Sequence, residues 1–271
     1  MRTVYLGTSE FSVEVLERLA ATPHRPVLVV TRPDRPRGRG RKVQAPPVAE
    51  RAALLGVETI QPQDVNADDA RAAIAAAEPE AVLICAYGAL VKEPLLSAHP
   101  MFNVHPSLLP RWRGAAPVER AVMAGDRETG VTIHRTVKEL DAGPIAAQAA
   151  FVIEDEDDAG AVFTRVAGLA ADLLEGVLAE DEPSFEPQPE EGVTYADKIT
   201  AADRELDLSD PEQAVRVVRA LSPHIGARAK LDGRDVIVWR ARVDDGRFVP
   251  LEVQPAGRRR MSYDEFRRGL R

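Results

Sequence analysis

The chain has 271 residues, 45% of them hydrophobic and 29% charged, with a formal net charge of −8 at pH 7. That balance fits a folded globular protein and excludes intrinsic disorder and indiscriminate nucleic-acid binding, and no apolar run reaches the length of a membrane span. A single cysteine, Cys85, excludes an internal disulfide and a cysteine-cluster metal site, and with no leader pattern at the start it predicts a cytoplasmic protein.

The start, RTVYLG, reads as a strand, and EFSVEVLERLA reads as a helix with Phe11, Val15, Leu16 and Leu19 at helical spacing. Between them GTSEF offers only Gly7 where a dinucleotide fingerprint needs G-x-G-x-x-G. Gly7 and Thr8 read equally as a tight turn with a helix cap or as a contact to a substrate. A second strand, PVLVV, leads into a loop with Arg32, Arg35, Arg37, Arg39, Arg41 and Lys42 against one acid, Asp34. Helices follow in PVAERAALLG and DDARAAIAAAEP, then the continuous apolar strand AVLICAY, where Cys85 reads as a core residue. FNVHP is a further strand, VERAVMAG a helix, GVTIHRTV and AAQAAFVI strands, and about 159 to 178 a longer helix. This order predicts an α/β fold with a Rossmann-like, mostly parallel open sheet over 1–185. EDEPSFEPQPEEG is acidic and proline-rich, so 186–204 is expected to be a linker. A helix, PEQAVRVVRAL, and strands in ARAKL, RDVIVWRA and FVPLEVQ predict a small β-rich domain over 205–271, with Arg258, Arg259, Arg260, Arg267, Arg268 and Arg271 near its end.

Ligands in open α/β sheets lie outside the carboxyl ends of the strands. AYGALV and FNVHPSLLP both sit at such ends and are expected to face one crevice. Asn103 and His105 are two residues apart on a strand, so their side chains point the same way. An amide and an imidazole can jointly steady a negative oxygen. Asp141, on the loop after GVTIHRTV, is the best third group to orient or deprotonate, although Asp-x-Gly is also a common turn. His134 reads as structural, His24, His99 and His224 receive no role, and no spacing of histidines and acids indicates a metal.

FNVHPSLLPRWRGAAP, with Asn103, His105 and the later Asp141, resembles the 10-formyltetrahydrofolate-dependent formyltransferases. GTSEF, TRPDRPRGRGRK, AYGALV, ETGVTIH, LDAGPI, VTYADKI and QPAGRRRM extend the likeness over nearly the whole chain, towards the members acting on methionyl-tRNA. The resemblance implies formyl transfer from 10-formyltetrahydrofolate to the α-amino group of methionyl initiator tRNA, in translation initiation. Asn103 and His105 would stabilise the oxyanion, with Asp141 holding His105 and helping to take the amine's proton. Tyr87, Gly88, Leu90, Val91, Ser107, Leu108, Leu109, Pro110 and Val137 would line the folate pocket. Arg37, Arg39, Arg41 and Lys42 would reach the tRNA acceptor stem. The resemblance calls for no metal and no membrane, and a monomer is expected. The C-terminal domain, OB-like in the family, is shortened here between Arg242 and Phe248, and HPS replaces the commoner HGS, so that Pro106 removes one N–H. Rival readings are a formyltransferase for a small amine (a sugar nucleotide or glycinamide ribonucleotide) and a non-catalytic tRNA-binding protein.

Overall fold

A computed structural model describes residues 1–37 and 42–270 of the chain. Its elements run β1 (Thr3–Gly7), α1 (Glu10–Ala20), β2 (Leu28–Val30), β3 (Arg35–Arg37), β4 (Lys42–Gln44), α2 (Pro47–Leu55), β5 (Glu58–Ile60), α3 (Asp68–Ala76), β6 (Ala81–Cys85), α4 (Leu95–Ala98) and β7 (Met101–His105). They continue with β8 (Arg113–Gly114), α5 (Pro117–Ala124), β9 (Glu128–Arg135), β10 (Ile145–Val152), α6 (Ala159–Ala179) and β11 (Tyr195–Ala196). A short 3-10 turn (Ala202–Arg204) precedes α7 (Pro211–Leu221), β12 (Ala227–Leu231), β13 (Arg234–Asp244), β14 (Arg247–Pro255), β15 (Met261–Ser262) and α8 (Tyr263–Arg268).

Seven strands form one sheet in the order β10-β9-β7-β6-β1-β2-β5. β5, β2, β1, β6 and β7 are mutually parallel, and β9 runs antiparallel to β7. Strands buried on both faces need apolar residues throughout, and β1 is buried along its whole length. The chain winds outward from β1 through β2 to β5, then restarts on the other side of β1 with β6. That reversal marks the switch point of the sheet, at the carboxyl ends of β1 and β6, where open α/β sheets take their ligands. Thr8 there donates its hydroxyl to the Tyr87 carbonyl at 2.8 Å, tying the GTSEF turn to the AYGALV loop. Ser9 caps α1 by accepting from Ser12 N–H, so Thr8 and Ser9 act first as turn and cap. Cys85 is fully buried, and burial pushes its thiol up to about 12, which leaves it inert.

The contacts divide the chain into two compact units that do not follow chain order. The first holds Met1–Arg113, Gly130–Ala150 and Thr164–Val193; the second holds Gly114–Thr129, Phe151–Phe163 and Thr194–Arg271. Within the first, the stretch expected as a linker begins hydrogen-bonded to the sheet. Glu186 and Ile145 exchange backbone hydrogen bonds of 2.8 and 2.7 Å, and the Phe185 ring lies 5.4 Å from that of Phe102. Low hydrophobicity concealed this because the partners are backbone groups and one aromatic ring.

The second unit carries an antiparallel sheet, β12-β13-β14-β15, backed by α7. Its four strands lie side by side in chain order. β13 passes straight into β14 through Asp245 and Gly246, with φ of 48° and 68°, the backbone a two-residue type I′ hairpin demands. Trp239 is buried under the Arg260 guanidinium, 3.5 Å from its ring centre. α7 is capped by Asp210, which accepts from Gln213 N–H at 3.1 Å.

Asp203 in this unit accepts from Arg120 at 2.7 Å and from the Thr200 N–H and hydroxyl at 2.8 and 2.7 Å. The Arg120 guanidinium first, then the Thr200 donors, hold its carboxyl well below the usual carboxylate range. A depressed carboxylate contributes stability that is fully present above its unfolded value of about 3.9 and is lost as pH falls further, towards the folded value. Since the pair is one-fifth exposed, solvent screening limits the contribution to about 1 kcal/mol. Calorimetry of Asp203→Asn should therefore show a melting temperature that falls less between about pH 5 and about pH 2 than that of the unchanged protein. Parallel curves would show that the carboxylate is not linked to folding.

The basic loop is flanked by a hairpin, β3 with β4, in which Arg37 pairs with Lys42. Lys42 is exposed, while Arg39 and Arg41 lie outside the described residues. Among the described residues no helix is long and apolar enough to cross a membrane.

Candidate active site

Asn103 and His105 occupy alternate positions at the end of β7 and share one side of the strand. The antiparallel register of β7 with β9 sets His134 directly opposite Asn103 and Thr132 opposite His105. Asp141 follows on the loop after β9, at φ 47°, a left-handed conformation that aspartate tolerates better than most residues. All four side chains belong to the first compact unit.

The geometry is a closed ring of polar groups. The Asn103 amide donates to His134 Nε2 at 3.0 Å and to Asp141 Oδ1 at 3.4 Å. Asp141 Oδ2 lies 3.7 Å from His105 Nδ1, and its Oδ1 lies 3.7 Å from His134 Nε2. Two backbone carbonyls fix the imidazoles from outside. His105 Nε2–H donates to Trp112 O at 2.8 Å, and His134 Nδ1–H donates to Arg135 O at 3.0 Å. These bonds assign the tautomers, leaving the lone pairs of His105 Nδ1 and His134 Nε2 turned towards the carboxylate. His105 is 3% and His134 1% exposed, so both are better uncharged. Burial pushes His105 below the usual histidine value, against the pull of the Asp141 carboxylate and the Trp112 carbonyl. Burial, and then the neighbouring His105, hold His134 down to about 4. At pH 7 the site thus presents an amide donor and two neutral imidazoles around Asp141.

Further hydrogen bonds brace this ring. Thr132 Oγ1 donates to Ser107 O at 2.7 Å and accepts from Leu109 N–H at 3.1 Å and Gln148 Nε2 at 2.8 Å. Ser107 Oγ donates to Arg111 O at 2.7 Å, so the Pro-Ser-Leu-Leu-Pro turn is held from both sides. Gln188 does the same for the Asp141 loop. Its Nε2 donates to the carbonyls of Asp141 and Gly143, each at 2.7 Å, while its Oε1 accepts from Arg113 Nε at 3.1 Å and Nη2 at 2.7 Å. Replacing Gln188 with leucine keeps the volume and strands these four partners, at about 1–3 kcal/mol for each that stays buried. Stopped-flow and melting measurements of Gln188→Leu should show about a tenfold lower kcat and a reduced melting temperature; an unchanged kcat would show that the Asp141 loop needs no such brace.

The positions expected around the folate divide by burial. Tyr87, Ser107 and Leu109 are buried, Val91, Leu108, Pro110 and Val137 are partly buried, and Gly88 and Leu90 are exposed. Tyr87 sits in the apolar cluster with Val4, Leu6 and Leu95, and Val91 packs against it. The 86–91 and 106–110 loops follow the adjacent parallel strands β6 and β7 and so emerge side by side. His134 and Gln188 are the two participants that the sequence does not announce. His134 is visible only once the β7–β9 register is known.

The formyl transferase family profile matches residues 1–178. A methionyl-tRNA formyltransferase of Methylococcus capsulatus (strain Bath) is 40% identical over 98% of this chain and 96% of its own. The chain belongs to the formyl transferase family, among the methionyl-tRNA formyltransferases. Solved structures carry the fold of this formyl transferase at lower identity. A methionyl-tRNA formyltransferase from Clostridium thermocellum superposes with a TM-score of 0.68 at 15% identity, over 94% of this chain and 98% of its own. HypX from Aquifex aeolicus in complex with tetrahydrofolic acid does so with a TM-score of 0.66 at 18% identity, over 98% of this chain and 46% of its own. The family profile contains the whole Asn103, His105, His134 and Asp141 cluster and ends within α6. The match to the methionyl-tRNA relative, over 98% of the chain, continues past α6 through the second sheet.

Proposed function

We propose that this chain transfers the formyl group of 10-formyltetrahydrofolate to the α-amino group of methionyl initiator tRNA. The observation that carries the reading is the convergence of Asn103, His105 and Asp141 in one cluster at the carboxyl end of β7. Its donor set fits a formyl donor: an amide N–H for a developing negative oxygen, a carboxylate and an imidazole lone pair for the amine's proton, and apolar Leu90, Val91 and Leu108 on the adjoining loops. Bound 10-formyltetrahydrofolate supplies an already activated formyl carbon. Asn103 donates a hydrogen bond to the formyl oxygen with the amide N–H that His134 Nε2 accepts in the free site. Asp141 and His105 Nδ1 take the proton of the attacking amine, directly or through water, and the carboxylate steadies the imidazolium that results. His105, now protonated at Nδ1, shares in stabilising the oxygen while Trp112 O keeps its ring oriented. As the tetrahedral centre collapses the C–N10 bond breaks, and that proton passes, directly or through water, to the departing tetrahydrofolate nitrogen. We assign Tyr87, Gly88, Leu90, Val91, Ser107, Leu108, Leu109, Pro110 and Val137 to the folate crevice, residues 1–185 to catalysis and 205–271 to an OB-like accessory domain.

We assign Arg37, Arg39, Arg41 and Lys42 to the acceptor stem, where glycines between the charges let the backbone approach the phosphates. Changing Arg39, Arg41 and Lys42 together to alanine should weaken binding of charged initiator tRNA and lower the slope of log K against log salt by about 2–3. Filter-binding titrations at several salt concentrations measure this, and an unchanged slope would remove the loop from the interface. The function itself is tested by formylation of charged initiator tRNA, charged elongator tRNA and small amines with 10-formyltetrahydrofolate. Marked preference for the initiator is expected; equal use of a small amine would overturn the assignment.

A further inference from the structure

We propose that His105, His134 and Asp141 also form a binding site for a divalent first-row cation, such as Zn2+ or Co2+, whose occupancy shuts down formyl transfer. The ligand atoms of these three side chains all lie within 4.8 Å of one another, and among the described residues no other group of histidine, cysteine and acid side chains does so. Three separate features make this a prepared site. The outer nitrogen of each imidazole already donates its proton to a backbone carbonyl, Trp112 O for His105 and Arg135 O for His134. That is the arrangement that orients metal-binding histidines and raises their basicity. The inner nitrogens, His105 Nδ1 and His134 Nε2, each stand 3.7 Å from an oxygen of the same carboxylate. Ligands at bond lengths of about 2.0–2.2 Å in a tetrahedron are about 3.3–3.6 Å apart, so each nitrogen–oxygen pair is within a few tenths of an ångström of that spacing, and the set as a whole, within 4.8 Å, closes by side-chain shifts of about an ångström. Finally, the Asn103 amide lies 3.0 Å from His134 Nε2 and 3.4 Å from Asp141 Oδ1, and rotating it end for end would present its oxygen as a fourth ligand. A donor set of imidazoles and one carboxylate selects zinc, cobalt or nickel over magnesium or calcium, which take oxygen ligands. The cation would withdraw the amide, the imidazole lone pair and the carboxylate at once. The inhibitory half of the proposal rests on the reading of these groups as catalytic; the binding half does not.

The test is titration of the untagged full-length protein with CoCl2, followed by visible d–d absorption and by proton NMR. One equivalent should bind, and the unchanged protein should show two exchangeable, hyperfine-shifted imidazole N–H signals, one for each histidine whose outer proton is held by a carbonyl. ZnCl2 should displace the cobalt. His134→Gln and Asp141→Asn should weaken binding at least about tenfold. His24→Ala is the control, since His24 Nδ1 lies 3.0 Å from the N-terminal amine and that pair could chelate a cation; it should bind as tightly as the unchanged protein. Formylation should fall in proportion to zinc occupancy, recover with EDTA and ignore equal MgCl2. Absence of saturable cobalt binding, fewer than two shifted N–H signals, or a signal lost in His24→Ala would overturn the site. Full activity at full zinc occupancy would overturn the shutdown. The cobalt readout requires no turnover, so a failure of the formyl-transfer reading would leave it standing.

Discussion

Formyl transfer by an Asn103→Ala variant is expected to be slower by about 10²–10³-fold in kcat, with the fold intact. The amide is the group in the cluster whose protons are available without a change of charge. It gives them to His134 Nε2 and Asp141 Oδ1 in the free site, at 3.0 and 3.4 Å. A formyl oxygen that gains negative charge competes for such a proton better than a neutral imidazole does, so the bond strengthens in the transition state and lowers the barrier. Alanine removes the donor altogether. Because Asn103 and Asp141 are only partly buried, water can satisfy what is left behind, and the melting temperature should stay close to that of the unchanged protein. Single-turnover measurements with charged initiator tRNA separate the chemical step from tRNA binding. A rate within about threefold of the original would mean that the oxygen is stabilised elsewhere.

The second large effect is expected from Gly143→Ala, a change of one methyl group. A Cβ at this position would stand 1.7 Å from Arg135 O and 3.3 Å from Val137 Cγ1. Real atoms do not approach so closely, and backbone cannot step aside as a flexible side chain can. The carbonyl that must move is also the acceptor that orients His134. The displaced loop carries Asp141, and Gly143 O is one of the two carbonyls held by Gln188. The clash therefore disturbs an imidazole, the carboxylate and their brace together. A loss of about 100-fold in kcat/KM is expected from misplacement alone, with about 1–3 kcal/mol of stability lost to overpacking. Gly176→Ala in α6, where a Cβ meets nothing within 4 Å, is the matched control. It should be neutral or stabilising, by about 0.5–1 kcal/mol. Equal activity of the two variants would show that the loop can shift without cost to the site.

The parts of the molecule legible in the sequence are those governed by short-range rules. Helical spacing in EFSVEVLERLA and the unbroken apolar run of AVLIC announced α1 and β6, and strand alternation put Asn103 and His105 on one side of β7. The unread parts depend on partners distant in the chain. His134 meets Asn103 through a strand register 31 residues long, which periodicity does not encode. Gln188 lies in a stretch whose acids and prolines describe a linker, and its partners are Asp141, 47 residues away, and Arg113, 75 away. A glutamine among prolines carries no local sign of such bonds. The arginine loop was legible as charge, yet charge states an attraction to phosphate and fixes no position.

The interleaving of the two compact units bears on how the chain is born. Emerging from the ribosome, the first unit has all its pieces once residue 193 is out. Helix α5 has not: its partner α7, which reaches the Met123 carbonyl through Gln213 Nε2, begins at Pro211. Arg219 of that same helix supplies the bonds to the carbonyls of Glu154 and Asp157. For some twenty to thirty residues of synthesis, then, a finished site coexists with an apolar helix face awaiting cover. Nascent chains stalled in that interval are the ones in which a chaperone should find something to hold.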